Sequence, residues 1–238
     1  MSVEDVAEVG YDDSLGVRWL LLRRLLAPPE EVARAILASA RGHRVVTDDD
    51  ALVALLVEAG GTIQRRGHDY AYDVATAPPD WTGAPAPPGY ALTREIRPQA
   101  LVEAHAASTP PGHPDHEPDL DHEADLRSMV DGTLLGPLVR EASWQVEHEG
   151  RAVGAVLVTD KPGERRRGWV VDVFLHPENQ GRGLGRVLLQ RAVAGTREAG
   201  LPELGLVVSD GNPARHVYDA LGFRHVRSGT NVDLPLLS

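Results

Sequence analysis

The chain has 238 residues, 42% of them hydrophobic and 25% charged. That is enough for one large or two small domains with a sizeable core, and too apolar for disorder along the whole length. Acids outnumber bases 35 to 24, a net charge of -11 that repels phosphate backbones and disfavours nucleic acid as a partner. Cysteine is absent, which excludes disulfides, thiolate metal sites and cysteine nucleophiles.

The first residues, MSVEDVAEVG, are acidic and lack the apolar core of a signal peptide. No apolar run is long enough to span a bilayer, so a cytoplasmic location without membrane contact is expected. Residues 14–26, SLGVRWLLLRRLL, place Leu15, Trp19, Leu22 and Leu26 at helical spacing behind Ser14, a suitable N-cap. Pro28 and Pro29 then stop one helix and open another, which Gly42 ends. DDDALVALLVEAGG (48–61) predicts a third helix with an Asp cap, and HDYAYDV (68–74) alternates like a strand.

APPDWTGAPAPPG (77–89) is proline-rich and without periodicity. Its composition suits a semi-rigid linker, so the sequence divides into a small, mainly helical N-terminal domain (1–76), the linker (77–89) and a larger domain (90–238). YALTREI (90–96) begins the larger domain as a strand, and 98–131 is helical at both ends. Two strands follow around the turn Glu149-Gly150-Arg151, then the strand WVVDVFLH (169–176). RRR (165–167) reads as a solvated hairpin loop. Residues 184–200 form a strong helix, LGLVVSD (204–210) a strand, and NPARHVYDALG (212–222) a helix opened by Pro213 and closed by Gly222. FRHVRSG and NVDLPL supply the last strands. The order implies a mixed α/β fold, a sheet covered by helices.

The stretch QGRGLG (180–185) sits between the strand at 169–176 and the helix at 184–200. A glycine-rich turn at a helix N-terminus binds anions, because unpaired N–H groups point outward and missing Cβ atoms permit close approach. No lysine follows, so a P-loop is excluded. Counting from Gly181, the last glycine of a dinucleotide fingerprint is replaced by Arg186. What fits is [QR]-x-x-G-x-[GA], through Gln180, Gly183 and Gly185. VDVFLHPENQGRGLGRVLLQRAV therefore resembles the acyl-CoA pyrophosphate segment of the GNAT superfamily (GCN5-related N-acetyltransferases). DGNPARHVYDALGF (210–223) is similar to that family's later motif. The resemblance spans roughly residues 90–237.

The resemblance implies a GNAT-type, mostly antiparallel sheet and acetyl-CoA as co-substrate, with no metal. Backbone N–H groups of Gly181, Arg182, Gly183, Leu184, Gly185 and Arg186, with Gln180, would cradle the pyrophosphate. The backbone of Val173, Phe174 and Leu175 would pair with the pantetheine arm. Asn212 would contact that arm near the thioester, although Asn before Pro is also a good N-cap. Tyr218 would protonate the leaving thiolate. Where some members carry a basic Glu on the cofactor strand, this chain has Trp169. Asp172 is the only acid on that strand, and its parity points it towards helix packing and away from the cleft unless a bulge re-aims it. Glu141, Glu147, His176 or a water are alternative proton acceptors.

The resulting expectation is an N-acetyltransferase that moves an acetyl group to the primary amine of a small molecule or peptide. Transfer would be direct, in a ternary complex, since no cysteine exists to carry the acyl group. A homodimer stays open. The competing expectation is a non-catalytic acyl-CoA-binding regulator or scaffold. The acidic, His-rich stretch HPDHEPDLDHEAD (113–125) would attract a cationic acceptor by its field. Residues 51–74 repeat, faintly, the helix, glycine turn and strand of 216–234. They lack a glycine-rich phosphate turn, so one CoA site per chain is expected.

Overall fold

The computed structural model describes residues 2–12, 18–161 and 166–236. The chain divides into two units, Met1–Asp69 with Val226–Ser238, and Tyr70–His225.

In the first unit, strands β1 (Ala7–Asp12) and β2 (Trp19–Leu25) pair antiparallel. Helix α1 (Pro29–Ser39) crosses over to β3 (Arg44–Thr47), which lies parallel to β2 through Trp19↔Arg44, Leu20↔Val45 and Leu21↔Val46. Helix α2 (Asp50–Glu58) follows, its first turn capped by the Asp49 carboxylate, which accepts from the Leu52 N–H at 2.8 Å. It leads to β4 (Thr62–Asp73). The far end of the chain returns as β10 (Arg224–Asp233), pairing antiparallel with β3 through Thr230↔Thr47 to Asp233↔Arg44. The strand order is β1-β2-β3-β10-β4. Leu20, Leu22, Val32, Ile36, Val45, Leu52, Leu56 and Val232 share one core.

Helical spacing over 14–26 predicts a helix, but residues 19–25 form β2. Residues 13–17, with the expected Ser14 cap, lie outside the described residues. The leucine run fits both periods, and partners decide between them. β2 hydrogen-bonds on both edges and buries Leu20 and Leu22, while Leu26, which belongs to the helical stripe, is 51% exposed. With β1 and β3 also present, the first 76 residues are a mixed α/β segment and not a mainly helical one.

In the second unit, β5 (Tyr90–Thr93), β6 (Trp144–His148), β7 (Arg151–Lys161) and β8 (Arg167–Leu175) form an antiparallel series, and β9 (Glu203–Ser209) lies parallel to β8. The order is β4-β9-β8-β7-β6-β5, with residues 70–73 as the part of β4 belonging here. Helices α3 (Pro98–Ser108) and α4 (His122–Val130) cover one face, packing Leu101, Ala104, Leu126 and Met129 on Ala155, Leu157 and Phe174. In the other core, α5 (Leu184–Glu198) and α6 (Arg215–Leu221) join strand residues such as Val156, Val158, Val170, Leu204 and Leu206.

Residues 77–89 pack within this second unit instead of separating two domains. Trp81 is buried 5.5 Å from the Tyr72 ring. From α5, Arg191 donates to the Thr82 and Ala84 carbonyls at 2.6 and 3.0 Å, and Arg197 donates to Ala77 at 3.0 Å. Proline-rich backbone has carbonyls to spare and few N–H groups, and two arginines satisfy them.

Candidate active site

The β8–β9 pairing is short. It comprises Gly168↔Leu204 and Trp169↔Gly205, after which the two parallel strands diverge. Beyond Trp169, β8 keeps its antiparallel partner, with Val156↔Val173, Ala155↔Phe174 and Gly154↔Leu175. Its other edge, over Val173, Phe174 and Leu175, has no strand partner among the described residues. That leaves backbone groups open to an extended ligand, apart from the Leu175 carbonyl, which accepts from Gln180. Val173 and Leu175 are half-buried against the core on the α5 side, while Phe174 is buried in the core under α3 and α4.

The chain leaves β8 through a short 3-10 turn (Pro177–Asn179) and enters α5 over Gln180, Gly181, Arg182 and Gly183. Gly181 and Gly183 have φ of +72° and +80°, which L side chains rarely adopt. No side chain caps α5, so its first N–H groups point outward. Beyond each glycine's chain neighbours and the backbone of α5 itself, no described protein atom lies within 4 Å of where a Cβ would stand at Gly181, Gly183 or Gly185. Gln180 anchors the loop by donating to the Leu175 carbonyl at 3.1 Å. Leu184 is buried beneath it, and Arg182 and Arg186 are exposed. Fixed N–H groups, a helix N-terminus, two cations and open space above the glycines suit a diphosphate.

Asn212 opens the turn before α6. Its Oδ1 accepts from the Ala214 N–H at 2.9 Å, so the N-cap-like role is realised. Its Nδ2 donates to Asp115 at 2.9 Å, and Asp115 also accepts from the Ser209 hydroxyl at the end of β9. A residue of the acidic, His-rich stretch is thereby tied to the wall of the strand divergence. Sequence reasoning treated that stretch as a field and did not single out Asp115. Tyr218 is buried on α6, its ring 6.1 Å from Tyr70 and 5.9 Å from Phe223.

A bulge between Leu157 and Val158 shifts the β7–β8 register where Val171 stands. Asp172 follows it and meets the helix layer: its Oδ2 lies 3.0 Å from His105 Nε2 on α3. The parity expectation of helix packing therefore holds with the bulge in place. Asp172 remains 25% exposed. Burial alone would lower the His105 pKa, but the hydrogen bond and charge of Asp172, with the charge of Asp125, outweigh it and raise it. Asp125 is raised chiefly by its own burial. His122, whose Nδ1 is 3.1 Å from His105 Nδ1, is lowered by burial and by its neighbour. His105 was missed from sequence; the available signal was a histidine beside Leu101 and Ala104 on an apolar helix face.

Of the other acceptors considered, Glu147 is held by Arg97 and by Gln145, the latter at 3.0 Å. His176 takes the Glu178 N–H at 3.4 Å. In the RRR stretch, Arg166 pairs with Asp160 and Arg167 with Glu203 at 3.5 Å, while Arg165 lies outside the described residues. Among the described residues no cluster of three or more potential metal ligands occurs, and no helix is long and apolar enough to cross a membrane.

An antiparallel series ending in a divergent parallel pair, with a glycine-rich turn leading from one of its strands to a helix, forms a cleft with a corner suited to an anion. The acetyltransferase (GNAT) family pattern matches residues 99–223, and the chain belongs to that family. A mycothiol acetyltransferase from Nocardioides sp. is 44% identical over 111 residues, covering 43% of this chain and 36% of that protein. The match thus spans about a third of that relative's length. Among solved structures, a GCN5-related N-acetyltransferase from Sphaerobacter thermophilus aligns over 98% of this chain and 78% of its own, at 16% identity and TM-score 0.59. A tandem GNAT protein from the clavulanic acid biosynthesis pathway aligns over 95% of this chain and 78% of its own, at 18% identity and TM-score 0.56. These likenesses establish the fold.

Proposed function

We propose that the protein is an acetyl-CoA-dependent N-acetyltransferase that moves an acetyl group to a primary amine by direct attack in a ternary complex. The observation that carries this reading is the divergence of β8 from β9 beyond Trp169 and Gly205, with the glycine-rich turn leading from β8 into α5. Bound acetyl-CoA would supply a thioester, an acyl group already joined to a competent leaving group. The free edge of Val173, Phe174 and Leu175 would hold its extended arm, and the N–H groups of residues 181–186 its diphosphate. Asp172 takes a proton from the incoming ammonium, and Tyr218 donates one to the departing sulfur. Asn212, with both side-chain groups engaged, fixes the α6 turn at the cleft wall. No cysteine exists to carry the acyl group, which favours the direct route. The mycothiol acetyltransferase relative makes a small-molecule amine the first acceptor class to assay, ahead of peptides.

Calorimetric titration with acetyl-CoA tests the proposal, followed by a thiol-release assay against an amine panel. Saturable binding at one site per chain with turnover of at least one amine is expected. Binding without turnover of any amine would favour an acyl-CoA-sensing module instead, and absence of binding would end both readings.

A further inference from the structure

The environment of Asp172 carries an inference that rests on the transferase reading. A carboxylate has no proton to give, so the 3.0 Å contact with His105 is a hydrogen bond donated by Nε2. The other ring nitrogen faces His122 Nδ1 at 3.1 Å. One proton must lie between those two nitrogens for the contact to hold, donated by His122 when His105 is neutral and by His105 when it is charged. Either way both nitrogens of a buried imidazole are fixed. Its faces are fixed too: the Phe174 ring packs at 4.8 Å and the His122 ring stands edge-on at 4.9 Å. Asp172 Oδ1 has no hydrogen-bond partner among the described residues, in a side chain still 25% exposed.

We propose that His105 is a positioning residue for the transfer reaction: it holds Asp172 by one oxygen, is itself braced by His122, and leaves the second oxygen for the acceptor amine. A carboxylate on a strand rotates between rotamers unless something locks it, and a misplaced proton acceptor loses much of its effect. The charged and titratable groups around His105 are Asp172 on β8, Asp125 and His122 on α4, and, through their effect on those two, Asp121, His116 and Glu117. When His105 is charged, it also offsets the pairing of two carboxylates, Asp125 and Asp172, beside a partly buried site.

The test compares His105→Gln, His122→Asn and Asp172→Asn in the full chain. Acetyl-CoA binding by calorimetry serves as the check that each variant folds. His105→Gln is expected to lower kcat by about tenfold or more, an effect of the size that orientation supplies, with the KM for acetyl-CoA unchanged. The ionisation of the histidine pair should vanish from its pH–kcat profile. His122→Asn should give a smaller loss in kcat. In Asp172→Asn, the His105 ring followed by NMR should titrate at lower pH than in the wild type. A wild-type kcat and pH profile in His105→Gln, beside an inactive Asp172→Asn, would overturn the positioning role and leave the transferase reading intact. Full activity in Asp172→Asn would overturn both this role and the proton acceptor assigned above. Failure of the wild type to turn over any amine would remove the transfer reading itself, and this role with it.

Discussion

The two units carry the same sequence of elements twice. In the first, β1 and β2 form an antiparallel pair, α1 crosses over to a parallel β3, and α2 leads to β4. In the second, β7 and β8 form an antiparallel pair, α5 crosses over to a parallel β9, and α6 leads into β10, most of which belongs to the first unit. The difference lies where each first crossover begins. Before α5 the chain reads Gln180-Gly181-Arg182-Gly183, with positive φ at both glycines and no side-chain cap. Before α1 it reads Ala27-Pro28-Pro29, with Glu30 and Glu31 in the first turn. Prolines remove the N–H donors an anion would need, and two carboxylates occupy the positive end of the helix dipole. One order of elements thus carries a donor-rich helix entrance in one copy and a donor-poor one in the other. The order of elements is shared; the donors and charges at the helix entrance are not.

The comparison can be broken or sharpened by experiment. The largest effect is expected from Tyr218→Phe. Losing the proton donor should reduce kcat by about 10²- to 10⁴-fold, with acetyl-CoA affinity near wild type; equal kcat would return Tyr218 to the role of a core ring against Tyr70 and Phe223. Next comes Gly183→Val. A β-branched residue at φ of +80° strains the turn and fills the space above it, so acetyl-CoA should bind at least about tenfold more weakly, roughly 1.4 kcal/mol. Replacing Pro28 with Ser in the other copy should leave both affinity and the one-site stoichiometry untouched. A second binding event in calorimetry would contradict the assignment of a ligand turn to one copy alone.

The smallest effect concerns pH. The folded-state pKa of His105 is raised above its ordinary 6.5, chiefly by Asp172 against an opposing burial cost. Its charged form therefore stabilises the fold below about pH 6.5, and that contribution fades as pH rises through the folded pKa. Urea denaturation of wild type and His105→Gln should show the wider gap on the acidic side and a narrower one on the alkaline side. A gap that widens with pH would mean that His105 gains nothing from Asp172.

Much of the second unit was legible in the sequence. The strands around Glu149-Gly150, the strand ending in VFL and the helix after Gly183 each have one dominant period and clear punctuation. The glycine turn was legible as a helix entrance, because three glycines within six residues punctuate the chain between strand and helix. The first unit was less readable. β2 is a leucine run that satisfies both periods, and β1 and β3 are short strands set by partners far away in sequence. The proline-rich stretch has the composition of a linker, and only the arginines of α5, more than 100 residues on, reveal that it is docked. At the site, spacing located Asp172 but not His105, since their meeting depends on how α3 packs on the sheet. Asp115 was hidden for the same reason: a loop residue acquires a role from the wall it reaches.

The last strand has a consequence for how the protein is made. β3 is completed by residues 230–233, and Arg44 pairs with Asp233 across 189 positions of sequence. A ribosome releasing the chain from its N-terminus would expose Val45 and Thr47 long before their partner strand exists. The first unit cannot close until residues 230–233 have been made, by which point all of Tyr70–His225 already exists. A chain cut after His225 would keep the glycine-rich turn and leave the first unit without its closing strand.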